Sequence, residues 1–122
     1  MSKIKTLFLK EPFSLNEIKK NIFYKNYLNQ LTKHHFKNSK VYRKLIKNLK
    51  FKIYKNYDVH ELPFIPVSLF KKFELFSVNK NKIIKILKSS GTTGDILSKI
   101  YLDRENSMNQ VKALQKIMFS IL

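Results

Sequence analysis

No cysteine and no tryptophan occur in these 122 residues, and there are only two glycines and three prolines. Without cysteine the chain has no disulfide, no thiolate nucleophile and no thiolate-ligated metal, and nothing points to secretion. Long apolar runs are missing too. The start "MSKIKTLFLKEPF" puts charge before "LFL", which is far too short for a signal-peptide core, and no stretch approaches the length of a membrane span. A cytoplasmic location is therefore expected. Arginine is confined to Arg43 and Arg104, and acidic residues number 8 against 25 basic ones, for a formal charge of +17.

That charge favours an anionic partner, such as nucleic acid, a phosphorylated ligand or a membrane surface. Lysine supplies nearly all of it. Proteins that read phosphate or guanine edges rely on the planar fork of arginine, which this chain largely lacks. Lysine, asparagine and isoleucine enriched together are what drift toward A and T in the gene produces. A basic nucleic-acid-binding module thus stands as the alternative reading rather than the leading one. Hydrophobic residues make up 43% and aromatics 13%, enough for a buried core in one domain or part of one.

Ser14 and Glu17 have the spacing of a capping box and predict a helix running to about His34 or His35, with Leu15, Ile18, Ile22, Tyr24, Tyr27, Leu28 and Leu31 on its apolar side. Its basic face gives a surface-lying membrane helix as a weaker option, against which the asparagines, tyrosines and capping box speak. A second helix is predicted from about Ser39, with Val41, Tyr42, Leu45, Ile46 and Leu49 inward. Residues 51–66 hold two prolines and no helical period, and predict an irregular connection. Pro66 then suits the start of a short helix over "VSLFKKF", with Val67, Phe70 and Phe73 inward.

The rhythm changes after residue 80. "KIIKIL" at 82–87 is rich in β-branched residues, and "SKIYLD" at 98–103 alternates Ile100 and Leu102 against Lys99 and Tyr101, so both read as strands. Asp103 suits the N-cap of a last helix whose Met108, Val111, Leu114, Met118 and Ile121 form an apolar stripe. The expected fold class is an α+β or α/β fragment, helical over 1–75 and strand, loop, strand, helix over 80–122. Two strands make a marginal sheet, and the apolar stripe continues to Leu122, so further strands from elsewhere are expected.

Both glycines fall in "KSSGTTGD", residues 88–95, between the two strands. Glycines let successive N–H groups face one concavity, and serine and threonine hydroxyls add donors, which together make an anion-binding nest. Lys88 and Lys99 flank it. The other reading is a plain polar hairpin turn, since loops use these residues everywhere. The spacing fits neither the Walker A loop nor the dinucleotide fingerprint.

"SSGTTG" between strands resembles the phosphate loop of the adenylate-forming enzymes. With "LPFIPVSLFKKFELFSV" before it and "ILKSSGTTGDILSKIYLDRENSMNQVKAL" around it, the chain resembles the acyl-protein synthetase family of bacterial luminescence, well over the second half and loosely over the first. The resemblance implies the N-terminal portion, residues 1–122, of an adenylate-forming domain. It implies ATP-dependent activation of a fatty acid to an acyl-adenylate, with ATP and Mg2+ required and an acyl-accepting partner downstream. Ser89, Ser90, Gly91, Thr92, Thr93, Gly94 and Lys99 would hold the nucleotide phosphates, with no catalytic residue assigned in this stretch. The superfamily often continues after the second glycine with a residue, proline and lysine, whereas here Asp95, Ile96, Leu97 and Ser98 precede Lys99. Adenine and ribose contacts and the mobile lysine of such enzymes have no counterpart in these residues, nor has the acyl-accepting cysteine. The expectation is a truncated or split protein, inactive alone and completed by another polypeptide, or else a remnant without function.

Other residues attract simpler explanations. His34, His35 and His60 lack the spacing of metal ligands. Asp58, Glu61 and Glu74 form no pair by spacing, and Asp103 and Glu105 suit a helix N-terminus. Ser68 has no histidine motif beside it and reads as a helix residue.

Overall fold

The computed structural model describes residues 3–91, 94 and 96–122. Its described elements run helix α1 (Lys3–Leu7), α2 (Glu17–Asn38), α3 (Lys40–Asn48), a 3-10 turn (Val59–Glu61), α4 (Leu69–Lys72), a second 3-10 turn (Lys80–Lys82), strands β1 (Ile83–Lys88) and β2 (Lys99–Asp103), and α5 (Arg104–Ile121). Helices thus precede a two-stranded antiparallel sheet, an α+β arrangement.

Asn16, not Ser14, opens the long helix. Its Oδ1 accepts from the Lys19 amide at 2.9 Å, which puts Glu17 in the first turn, while the Ser14 N–H is turned back to the Glu11 carbonyl at 3.2 Å. Asparagine caps as well as serine does, so the nearer cap prevails. The capping-box contact of glutamate to the cap amide occurs instead at Asp58, whose N–H donates to Glu61 Oε2 at 3.0 Å.

The far end of α2 also lies beyond the expected His34 or His35. Arg43 explains this: its Nε donates to the Phe36 carbonyl at 2.8 Å, its Nη2 donates to the Lys37 carbonyl, and its guanidinium lies 5.9 Å from the Phe36 ring centroid. A planar cation on the last carbonyls satisfies groups that a helix end leaves unpaired and complements the dipole. Ser39 serves both helices. Its N–H donates to the His35 carbonyl at 2.8 Å, and its Oγ accepts from the Tyr42 amide at 3.2 Å to start α3.

α3 ends in a Schellman arrangement: the Lys50 amide reaches the Lys47 carbonyl at 3.0 Å and the Phe51 amide reaches Ile46 at 3.3 Å, with Lys50 at φ +55°. Ile46 is completely buried where α3 packs on α2. The irregular connection after it is anchored by Asn29, 5% exposed, and by the Phe51 and Tyr57 rings, 4.4 Å apart.

Several residues expected inside are outside. Ile18, Ile22 and Leu49 are exposed, as are Val67 (69%) and Phe73, because α4 is a single turn and covers little. In β2, Tyr101 is the better covered residue, its ring 5.3 Å from Phe76, while Ile100 is half exposed. The stripe on α5 lies open: Met108, Val111, Leu114, Met118 and Ile121 are each 48–74% exposed. The accessible surface is 9794 Å² for a 14.6 kDa chain. A compact monomer of that mass would expose about 6,900 Å² by the usual 6.3 M^0.73 scaling. The surplus sits on α5, on the half-covered hairpin and on the N-terminal half of α2.

Candidate functional site

The predicted loop hangs from the β1–β2 hairpin, which α5 supports from both strands and α4 from β2. Register pairs Lys88 with Lys99, Leu87 with Ile100 and Ile86 with Tyr101. One step beyond Lys88, the Ser89 amide donates to the Ser98 carbonyl at 3.0 Å. The Ser98 amide returns the bond to the Ser89 hydroxyl, also at 3.0 Å, instead of to a carbonyl. Ser89 therefore closes the neck of the loop with its side chain. A hydroxyl that accepts one bond still has a proton to donate.

Because 89 and 98 form the hydrogen-bonded step, Lys88 and Lys99 occupy the neighbouring non-bonded step, where facing side chains come closest. Like charges directly opposite each other repel, and both lysines are exposed. Ser90 and Gly91 are exposed and belong to no helix or strand. Gly94 lies in a turn at φ +94°, and a Cβ built there would meet no atom within 4 Å. Backbone angle, not crowding, calls for glycine at that position. Thr92, Thr93 and Asp95 lie outside the described residues. Ser98 is the residue that pattern reading passed over: it is buried, and its Oγ has no hydrogen-bond partner among the described residues. Its spacing from Ser89 across a short hairpin was the available signal.

Several other titratable groups have structural attachments. Asp103 Oδ1 accepts from the Asn106 amide at 2.8 Å and caps α5, and Glu105 lies 3.5 Å from Lys5. Asp58 sits 2.6 Å from the Lys25 ammonium, which holds its carboxyl below the ordinary value. His35 shares a 2.7 Å hydrogen bond between Nδ1 and Ser77 Oγ, and burial, then the neighbouring His34, lowers its pKa. Burial raises the Tyr101 phenol, with the Glu74 carboxylate adding to the effect. Among the described residues no three His, Asp or Glu side chains converge on a metal-sized site. No described helix is long and apolar enough to cross a membrane.

Neither a curated protein nor a solved structure matches the chain. A family model does, over residues 1–122, and its description is "Acyl-protein synthetase, LuxE". With a match of that extent, the chain belongs to the acyl-protein synthetase (LuxE) family.

Proposed function

We propose that the loop 88–99 binds the phosphates of ATP during activation of a fatty acid to its acyl-adenylate, the remainder of the site being contributed by polypeptide outside these residues. In that reaction a carboxylate oxygen attacks the α-phosphorus, a new C–O–P linkage forms, and the bond to the β-phosphate oxygen breaks to release pyrophosphate. The loop's part is to hold the leaving β- and γ-phosphates. Fixed donors aimed at oxygens that gain charge stabilise such a step without reorganising.

The observation that carries the reading is the direct pairing of Lys88 with Lys99 at the neck of an exposed Ser/Gly loop. Two facing cations repel when empty and are relieved by an anion between them. Ser90, Gly91 and the Ser89 hydroxyl are on the same exposed segment, and Gly94 lies in a turn at positive φ. Thr92 and Thr93 complete the donor set on the family's pattern. Mg2+, when bound, would supply neutralisation of the phosphate charge.

The surplus surface on α5 and the hairpin supports a completing polypeptide. The acyl acceptor is a further partner on this reading. The nucleic-acid alternative loses one of its two arginines, because Arg43 is committed to the carbonyl end of α2.

Calorimetric titration with pyrophosphate and with ATP tests the proposal. Binding should be saturable and should be lost in the Gly91→Ala, Gly94→Ala double variant, and weakened in Lys88→Gln, Lys99→Gln. Unchanged pyrophosphate affinity in both variants would overturn it, and binding of duplex DNA that ignores the loop would favour the alternative.

A further inference from the structure

Charge is not spread evenly along this chain. Between Glu17 and Asp58 there are twelve basic residues and no acidic one, whereas the remainder holds thirteen basic residues against all 8 acidic ones. Most of that excess lies on α3 and the connection after it. Lys40, Lys44 and Lys47 follow at steps of four and three, which stacks them in a row about 10 Å long on the side of α3 away from the buried Ile46. Lys50, Lys52 and Lys55 carry the charge on into the connection, and all six lysines are exposed. None of the six forms an ion pair among the described residues. Arg43, the arginine of this stretch, is engaged by the Phe36 and Lys37 carbonyls.

Two apolar side chains stand out among these cations. Tyr54 is 93% exposed in the turn where the Lys55 amide donates to the Lys52 carbonyl at 3.4 Å, and Leu49, at the C-cap of α3, is 60% exposed. The turn is braced from within. The Tyr57 hydroxyl donates to the Lys52 carbonyl at 3.0 Å, the Phe51 and Tyr57 rings that flank the turn lie 4.4 Å apart, and the Lys33 ammonium donates to Asn56 Oδ1 at 2.8 Å. With the backbone under Tyr54 already fixed, covering its ring orders little else.

An aromatic ring with a polar tip, an aliphatic neighbour and a surround of lysines suit one kind of surface. Tyrosine settles at the boundary between headgroups and hydrocarbon, leucine enters the hydrocarbon, and lysine is drawn to anionic headgroups within a Debye length of about 10 Å, which spans the row on α3. Nucleic acid fits less well, because the six cations include no arginine and a lone ring beside a leucine gives successive bases no stacking platform. We propose that the C-terminal end of α3 and the turn after it dock this protein on an anionic lipid bilayer, with Tyr54 and Leu49 in the interfacial layer and the lysines among the headgroups. The contact is a braced turn carried on packed helices, not a helix lying flat in the surface. It needs neither the phosphate loop nor a nucleotide.

Sedimentation of the full chain with vesicles tests this, comparing an equimolar mixture of phosphatidylglycerol and phosphatidylcholine with phosphatidylcholine alone. Binding is expected to the anionic vesicles only and should weaken steeply as salt is raised. Lys40→Gln, Lys44→Gln and Lys47→Gln together should weaken it about a hundredfold, at about fivefold per lysine. Lys82→Gln, Lys85→Gln and Lys112→Gln, which remove equal charge elsewhere, should cost far less. Gly91→Ala, Gly94→Ala should leave vesicle binding intact, which separates this proposal from the one on the loop. Because the chain has no tryptophan, Tyr54→Trp places a single reporter in the turn. Its emission should shift to the blue with anionic vesicles and be quenched by lipid brominated near the headgroup, and glycerol phosphate, the free headgroup, should do neither. Equal binding to phosphatidylcholine alone, an equal loss from the two lysine triples, emission unchanged by vesicles, or the same shift with glycerol phosphate would each overturn it. An oligodeoxynucleotide that binds more tightly than the vesicles, and loses affinity with the α3 triple, would overturn it in favour of nucleic acid.

Discussion

Asn29 holds both backbone polar groups of Tyr57: its Oδ1 accepts from the Tyr57 amide at 2.9 Å and its Nδ2 donates to the Tyr57 carbonyl at 2.8 Å. The same Nδ2 donates to the Lys25 carbonyl at 2.6 Å, so one side chain, 5% exposed, pairs the irregular connection with α2 as a strand neighbour would. Replacing Asn29 by Ala leaves the part-buried N–H and C=O of Tyr57 without this partner and should cost about 2–4 kcal/mol. Asn29→Asp keeps the acceptor for the Tyr57 amide but sets a carboxylate against two carbonyls, and should be no better than Ala at neutral pH. Urea unfolding of the three proteins checks this. Equal midpoints would mean that the connection does not depend on the clasp.

Lys50 offers a substitution of opposite sign. It occupies the left-handed position that closes the Schellman arrangement of α3, at φ +55°, where a side chain is strained and glycine is not. Lys50→Gly should therefore stabilise the fold by about 1 kcal/mol, and Lys50→Val should destabilise it. Midpoints of thermal unfolding read both.

What local pattern could give, it gave: the Ser39 start of α3, the Asp103 cap, the two strands within a residue and the glycine turn all follow from spacing and cap chemistry. Tertiary choices were less legible. Ser14 and Asn16 are equally good caps, and only the turn that ties the Ser14 amide to Glu11 decides between them. The end of α2 depends on Arg43, seven residues past the carbonyl it meets. Periodicity found the stripe on α5 but not its exposure, because an apolar face looks the same in sequence whether or not the described residues cover it. At the loop, the bond from the Ser98 amide to the Ser89 hydroxyl became visible only with the register.

His35 gives stability a pH dependence. Burial and the nearby His34 hold its pKa below the ordinary 6.5, so the folded chain keeps it neutral while the unfolded chain takes up a proton as the pH falls through that value. The unfolded state then binds more protons, and stability present above pH 6.5 is lost as the pH falls toward the folded value. The Asp58 carboxyl, held below 3.8 by Lys25, acts in a lower window and does not overlap. Urea midpoints should thus drop between pH 7.5 and 5.5, and His35→Gln, which retains a partner for Ser77, should flatten that drop. The same slope in the variant would assign the effect elsewhere.

The two serines at the neck of the loop should respond in opposite directions to the same change. Ser89→Ala removes the acceptor of the Ser98 amide while sparing the bond from the Ser89 amide to the Ser98 carbonyl, so it should cost about 1 kcal/mol and speed hydrogen exchange at the Ser98 amide. Ser98→Ala deletes a buried hydroxyl that has no partner among the described residues, which should be neutral or stabilising, because the desolvation of an unpaired group is relieved. Ser89→Thr keeps the oxygen and should restore most of the protection. If Ser98→Ala proves the more damaging of the pair, the hydroxyl has a partner in the folded protein, and the loop neck is held by that bond rather than by Ser89.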